Sequence, residues 1–111
     1  MATVEQCRQA LETIAERMSA DPHAARRADL NRTLTCHIRD LDTYFHGRLS
    51  QGTIVGLTDG DDPKAEVRIS LSGDDLLALV AGQLNFAAAW ASGRLSVKAG
   101  FGDLLKLRKM L

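Results

Sequence analysis

The sequence predicts a mixed fold in which a run of strands is flanked by helices, and three observations predict it. Near the N-terminus, apolar residues recur every three or four positions, the period of a helix buried along one stripe. In the middle they alternate with polar residues, the period of a half-buried strand. The last third returns to short helical runs separated by glycines, with one alternating stretch between them.

The first helix is predicted over residues 3–20. Val4, Cys7, Leu11, Ile14 and Met18 form its stripe, Thr3 with Gln6 fits a capping box, and Asp21 before Pro22 ends it. Residues 23–31 hold Arg26 and Arg27 among alanines, with Arg32 just beyond, and fit a short helix or a polar connection equally. Leu34, Cys36 and Ile38 then alternate with Thr33, Thr35, His37 and Arg39. A second strand is expected over 43–49, with Tyr44 and Phe45, and a third over 53–57 after a turn at Gly52. The run from Asp59 to Pro63 is a dense turn signal. In 65–71, Val67, Ile69 and Leu71 point one way and Glu66, Arg68 and Ser70 the other. The middle therefore reads as an antiparallel meander with one wet face.

Ser72 is placed to cap the next helix, with Asp74 and Asp75 in the first turn, where carboxylates favour the positive end of the dipole. Leu76, Leu77, Leu79 and Val80 are its apolar side and Gly82 its stop. Asn85 can cap a short helix over 86–92 that carries Trp90 and ends at Gly93. Residues 94–98 alternate, with Leu95 and Val97 inward. The last helix is expected from about Gly102, with Asp103 at its start and Lys106, Arg108 and Lys109 near its end, the charge order the dipole prefers.

A length of 111 residues suits one domain, taken as 1–111. Net charge is zero, which argues against nucleic acid or an anionic membrane as the main partner, since both select clustered Lys and Arg. No segment has the roughly 18 apolar residues of a membrane span. The first residues lack the basic and apolar regions of a signal peptide, so a cytoplasmic protein with reduced thiols at Cys7 and Cys36 is expected.

Catalysis needs a constellation, and none is visible. Ser50 lies between Gly47 and Gly52, but not at the spacing of a nucleophile elbow. His23, His37 and His46 share no metal-ligand spacing, although His37 and His46 could approach each other on adjacent strands. Asp59, Asp61 and Asp62 lack the rest of a calcium loop and read as a solvated turn. Gly100 and Gly102 around Phe101 read as a flexible turn. The basic cluster of Lys106, Arg108 and Lys109 reads as a solvated face, with lipid headgroups or an acidic partner as the alternative. No enzyme, cofactor or metal is expected.

Three segments carry a resemblance to a known family. Residues 71–82, LSGDDLLALVAG, resemble the strand end, Ser-x-Asp-Asp helix start, leucines and closing glycine of the sterol carrier protein family. Residues 90–98, WASGRLSVK, are similar to its Gly-Arg/Lys-Leu-x-Val strand, and residues 103–111 to the C-terminal helix of bacterial members. In one departure, Lys98, Ala99, Gly100 and Phe101 intervene where many members have Gly-Asp directly after the strand. The turn into the last helix, and the mouth of any cavity, are expected to differ there.

The resemblance implies an α+β fold: a roughly five-stranded, mainly antiparallel sheet covered on one side by helices. It also implies an apolar tunnel between sheet and helices for a fatty acid, fatty acyl-CoA or sterol-like lipid. Pattern and family position together nominate Phe86, Trp90, Leu95, Val97, Leu104, Leu105 and Met110 as its lining, with Phe45 and Ile69 from the sheet. The alternative is a dimerisation or accessory interaction domain with a filled or vestigial cavity. A homodimer and peripheral membrane contact stay open; nucleic acid is not expected.

Overall fold

The computed structural model describes residues 1–21 and 31–109. Met110 and residues 23–30 of the undecided stretch, His23 included, lie outside the described residues.

Helix α1, Val4–Ala20, begins where its capping box was expected. Gln6 N–H donates to Thr3 Oγ1 at 3.1 Å, and Thr3 N–H donates to Gln6 Oε1 at 2.9 Å. Two of the helix's unpaired N-terminal amides are thereby satisfied. Cys7, Ala10 and Leu11 are buried, while Ile14 and Met18 are half-buried on the same stripe.

The strands are β1, Arg32–Ile38, β2, Thr43–Ser50, β3, Thr53–Asp59, β4, Val67–Leu71, and β5, Ser96–Lys98. They form one mixed sheet in the order β3-β2-β1-β4-β5. A 3-10 turn, Arg39–Leu41, joins β1 to β2. Between β2 and β3 stand only Gln51 and Gly52, both with positive φ, the tight turn that suits the twist of a hairpin.

One pairing departs from the expected meander. β4 does not follow beside β3; it crosses to the free edge of β1 and runs parallel to it, with Leu34 opposite Val67 and Ile38 opposite Leu71. The other pairings are antiparallel. The crossing segment is pinned on the way: Thr35 Oγ1 donates to Asp62 O at 3.1 Å and accepts from Asp62 N–H at 3.2 Å. Local alternation reads the same for parallel and antiparallel strands, so only tertiary contacts decide this partner.

The alternation assigns the two faces. Leu34, Cys36 and Ile38 of β1, Phe45 and Leu49 of β2, and Val67 and Leu71 of β4 are all buried. The opposite face carries two cross-strand rows, His46–Thr35–Arg68–Lys98 and Tyr44–His37–Ser70–Ser96. Helices pack on the apolar face. They are α1, α2, Gly73–Val80, α3, Phe86–Ala91, and α4, Phe101–Lys109.

The caps of α2 and α3 are those the sequence predicts. Ser72 Oγ accepts from Asp75 N–H, and Asn85 Oδ1 accepts from Ala88 N–H, both at 3.1 Å. Gly82, at φ 76°, ends the first of these turns in the left-handed conformation that glycine adopts without a Cβ penalty.

Candidate ligand cleft between the last two helices

Helices α3 and α4 face each other with matching stripes. Ala87, Trp90 and Ala91 stand at i, i+3 and i+4 on α3; Phe101, Leu104, Leu105 and Arg108 stand at i, i+3, i+4 and i+7 on α4. Such spacing puts each set on one helix face. Between the stripes opens a cleft of about 620 Å³, lined by these seven residues. Its mouth is apolar and wet: Phe101 is 78% exposed and Leu105 46%.

The cleft exists because α4 is held away from α3 by its other face. Leu107, four positions after Asp103 and on the same side of the helix, packs against the cluster of Leu34, Leu49 and Val67. Asp103, whose side chain is 15% exposed, accepts from Arg32 Nε at 2.9 Å. The Arg32 guanidinium also faces Glu66 at 3.6 Å. Helix α4 starts at Phe101 and not at Gly102, with Leu104 N–H donating to Gly100 O at 2.9 Å. The inserted residues after β5 thus place a large aromatic ring at the mouth of the cleft.

The nominated residues divide by place. Trp90, Leu104 and Leu105 line the cleft. Phe86 is half-buried beside it, edge-on to Trp90 with ring centroids 6.3 Å apart. Phe45 and Leu95 are buried in the main core, and Ile69 and Val97 are half-buried against both core clusters. Met110 is outside the described residues. Ala87, Ala91, Phe101 and Arg108 complete the lining without having been nominated. The i, i+3, i+4, i+7 spacing from Phe101 to Arg108 was available in the sequence, but reading Phe101 as part of a turn hid it. The cleft runs between two helices, with no strand residue in its lining, so it differs in place from the tunnel expected between sheet and helices.

Elsewhere the histidines, the acidic turn and the thiols are engaged structurally. His37 stacks on Tyr44, centroids 4.2 Å apart, and its Nε2 lies 3.3 Å from Asp42 Oδ1. His46 Nδ1 lies 2.9 Å from Gly60 O, so the two histidines serve separate contacts. Asp59 pairs with Arg8, which holds its carboxyl below the usual range. Asp61 pairs with Arg68. Both thiols are free and buried. Burial pushes Cys36 up to about 12, helped by the neighbouring Cys7, and Cys7 is raised by burial and by Asp40 and Asp74. Raised thiols are poor nucleophiles. Among the described residues no group of three His, Cys, Asp or Glu could hold a metal ion, and no helix is long and apolar enough to cross a membrane.

Known proteins share the sequence family and the fold. A family described as the SCP-2 sterol transfer family matches residues 11–111. No curated protein sequence matches significantly. The fold is similar to sterol carrier protein domain 2 of Helicoverpa armigera, with a TM-score of 0.70 at 18% identity over 95% of this chain and 84% of that one. It is also similar to palmitated SCP2L2 from Aedes aegypti, with a TM-score of 0.66 at 20% identity over 98% and 93%. A third likeness is to the inverting sec-alkylsulfatase Pisa1 from Pseudomonas sp., with a TM-score of 0.61 at 22% identity. There 87% of this chain is covered, but it spans only 14% of the sulfatase.

Proposed function

We propose that this chain, which belongs to the SCP-2 sterol transfer family, binds and carries a hydrophobic small molecule in the cleft between α3 and α4. The observation that carries the reading is the wet apolar lining. Trp90, Phe101, Leu104 and Leu105 surround about 620 Å³, and Phe101 and Leu105 leave apolar surface in water that a ligand would cover. Each Å² removed from water contributes about 25 cal/mol, before the costs of ordering ligand and side chains. A fatty acid, fatty acyl-CoA or sterol-like lipid fits this chemistry, and Arg108 at the rim offers a fixed charge to an anionic end. The family membership and the likeness to a protein named as palmitated support a lipid over other apolar ligands. Trp90, Leu104 and Leu105 are contact residues in this reading, with Ala87, Phe101 and Arg108 added. Phe45, Leu95, Ile69 and Val97, in or against the core, stand outside the cleft in this reading. The role is binding, not catalysis, by residues 1–111 as one unit in the cytoplasm, which suits two free thiols.

A fluorescent fatty acid titrated into the protein tests the reading, with a sterol and a fatty acyl-CoA as competitors. Saturable binding that Leu105→Trp weakens at least tenfold supports it. No saturable binding of any of the three sinks it.

One observation favours a second reading: the same fold forms a small part of the much longer alkylsulfatase. In that case the stripe of Phe101 and Leu105 covers a neighbouring domain or a second copy. Light scattering that shows a tight dimer, together with no lipid binding, would favour it.

A further inference from the structure

The wet face of the sheet carries its own concavity, on the side away from the helices and independent of the lipid reading. It measures about 230 Å³. At its centre β4 and β5 present a two-by-two block. Arg68 stands directly opposite Lys98, and Ser70 directly opposite Ser96. Side chains opposite each other across an antiparallel pair lie about 5 Å apart at Cβ. Along a strand, same-face neighbours follow at about 6.5 Å. Two cations and two hydroxyls therefore line one concavity, which is roomy enough for a tetrahedral oxyanion.

The block is costly without a ligand. Like charges directly opposite each other destabilise a strand pair. Arg68 is partly compensated: it donates to Asp62 O at 2.8 Å and to the Asp61 carboxylate at 3.2 Å. Lys98 makes no ion pair among the described residues, and the Ser70 and Ser96 hydroxyls make no hydrogen bond there. The bonds that Arg68 makes from both terminal nitrogens fix its guanidinium in place and leave its other N–H groups for a phosphoryl oxygen. His37 and Arg39 border the same concavity and add no carboxylate to it except Asp42, which faces His37.

We propose that this block binds a phosphoryl group, held between Lys98 and Arg68 with Ser70 and Ser96 donating to its oxygens. The test is a two-dimensional amide NMR titration of the full chain with inorganic phosphate. Saturable shifts confined to β4, β5 and the 3-10 turn are expected. Lys98→Gln, at an exposed position, should weaken them roughly tenfold, the usual worth of one charge-assisted hydrogen bond. Asp61→Asn, which removes a carboxylate that competes for Arg68 while the bond to Asp62 O still holds the guanidinium, should tighten binding a few-fold. Glycerol 3-phosphate and phosphatidic acid vesicles distinguish the two sources of the group, a soluble phosphate ester or a lipid headgroup, with phosphatidylcholine vesicles as the control. The absence of saturable shifts with all of these overturns the proposal. So does binding that Lys98→Gln leaves unchanged in a protein whose spectrum stays folded.

Discussion

The half of the molecule under α1 and α2 is filled, while the end under α3 and α4 is open. Under α1, small residues let elements touch. A Cβ on Gly73 would come within 2.9 Å of the Ala2 Cβ and 3.2 Å of Cys7 Sγ, so the start of α2 fits only because it has none. Ile38, Phe45, Leu71 and Leu76 are almost wholly buried there, and the Arg8 guanidinium lies 5.7 Å from the Phe45 ring centroid. At the open end Trp90 on α3 and Phe101, Leu104 and Leu105 on α4 line the cleft, yet the helices stand apart because α4 is docked through Leu107 and Asp103 on another face. Apolar side chains thus serve opposite ends in the two regions. Where small residues permit close approach they stabilise the fold, and where a second anchor prevents it they remain available to a ligand.

The contrast can be broken most severely in the filled half. Phe45→Ala is expected to cost about 3–5 kcal/mol, because the cavity it leaves cannot collapse against a sheet and α1; urea unfolding measures this. A much smaller loss would mean that the core is not packed as described.

Cys36 gives an alkaline signature of the same filled half. Its folded pKa of about 12 lies above the ordinary thiol value of 9.0. The folded state therefore keeps a proton that the unfolded state releases. The stabilising contribution is complete below pH 9 and falls away as pH rises from there towards 12. That interval of pH corresponds to at most about 4 kcal/mol. Chemical denaturation at pH 7 and pH 10.5 should show the loss in the parent and a flatter profile in Cys36→Ala.

At the open end effects should be smaller and local. Asp103→Asn weakens the tie to Arg32 and should cost about 1 kcal/mol. Amide exchange is expected to quicken in α4 and stay unchanged in β1 and β2. Smallest of all, Leu105→Trp at the half-exposed mouth should shift stability by no more than about 0.5 kcal/mol, while lipid binding falls. If it destabilised the fold as much as Phe45→Ala, the distinction between the two regions would fail.

What was legible in the sequence was whatever neighbours in the chain decide. The capping box at Thr3 and Gln6, the caps at Ser72 and Asn85, the stop at Gly82 and the faces of β1, β2 and β4 follow from local hydrogen bonds and from the periods of helix and strand. The family pattern over the last third extended this to the α+β fold. The partner of β4 was not legible, because alternation carries no sign of strand direction. Nor was the place of the cleft. Leu95 and Leu105 look equally apolar in the sequence, yet one is 2% exposed in the core and the other 46% exposed at a mouth. Only the tertiary structure separates them. Whether an apolar residue fills space or borders it depends on how far apart two elements are held, and that distance is set by contacts from elsewhere in the chain. At the open end these are Arg32 on Asp103 and Leu107 on the sheet.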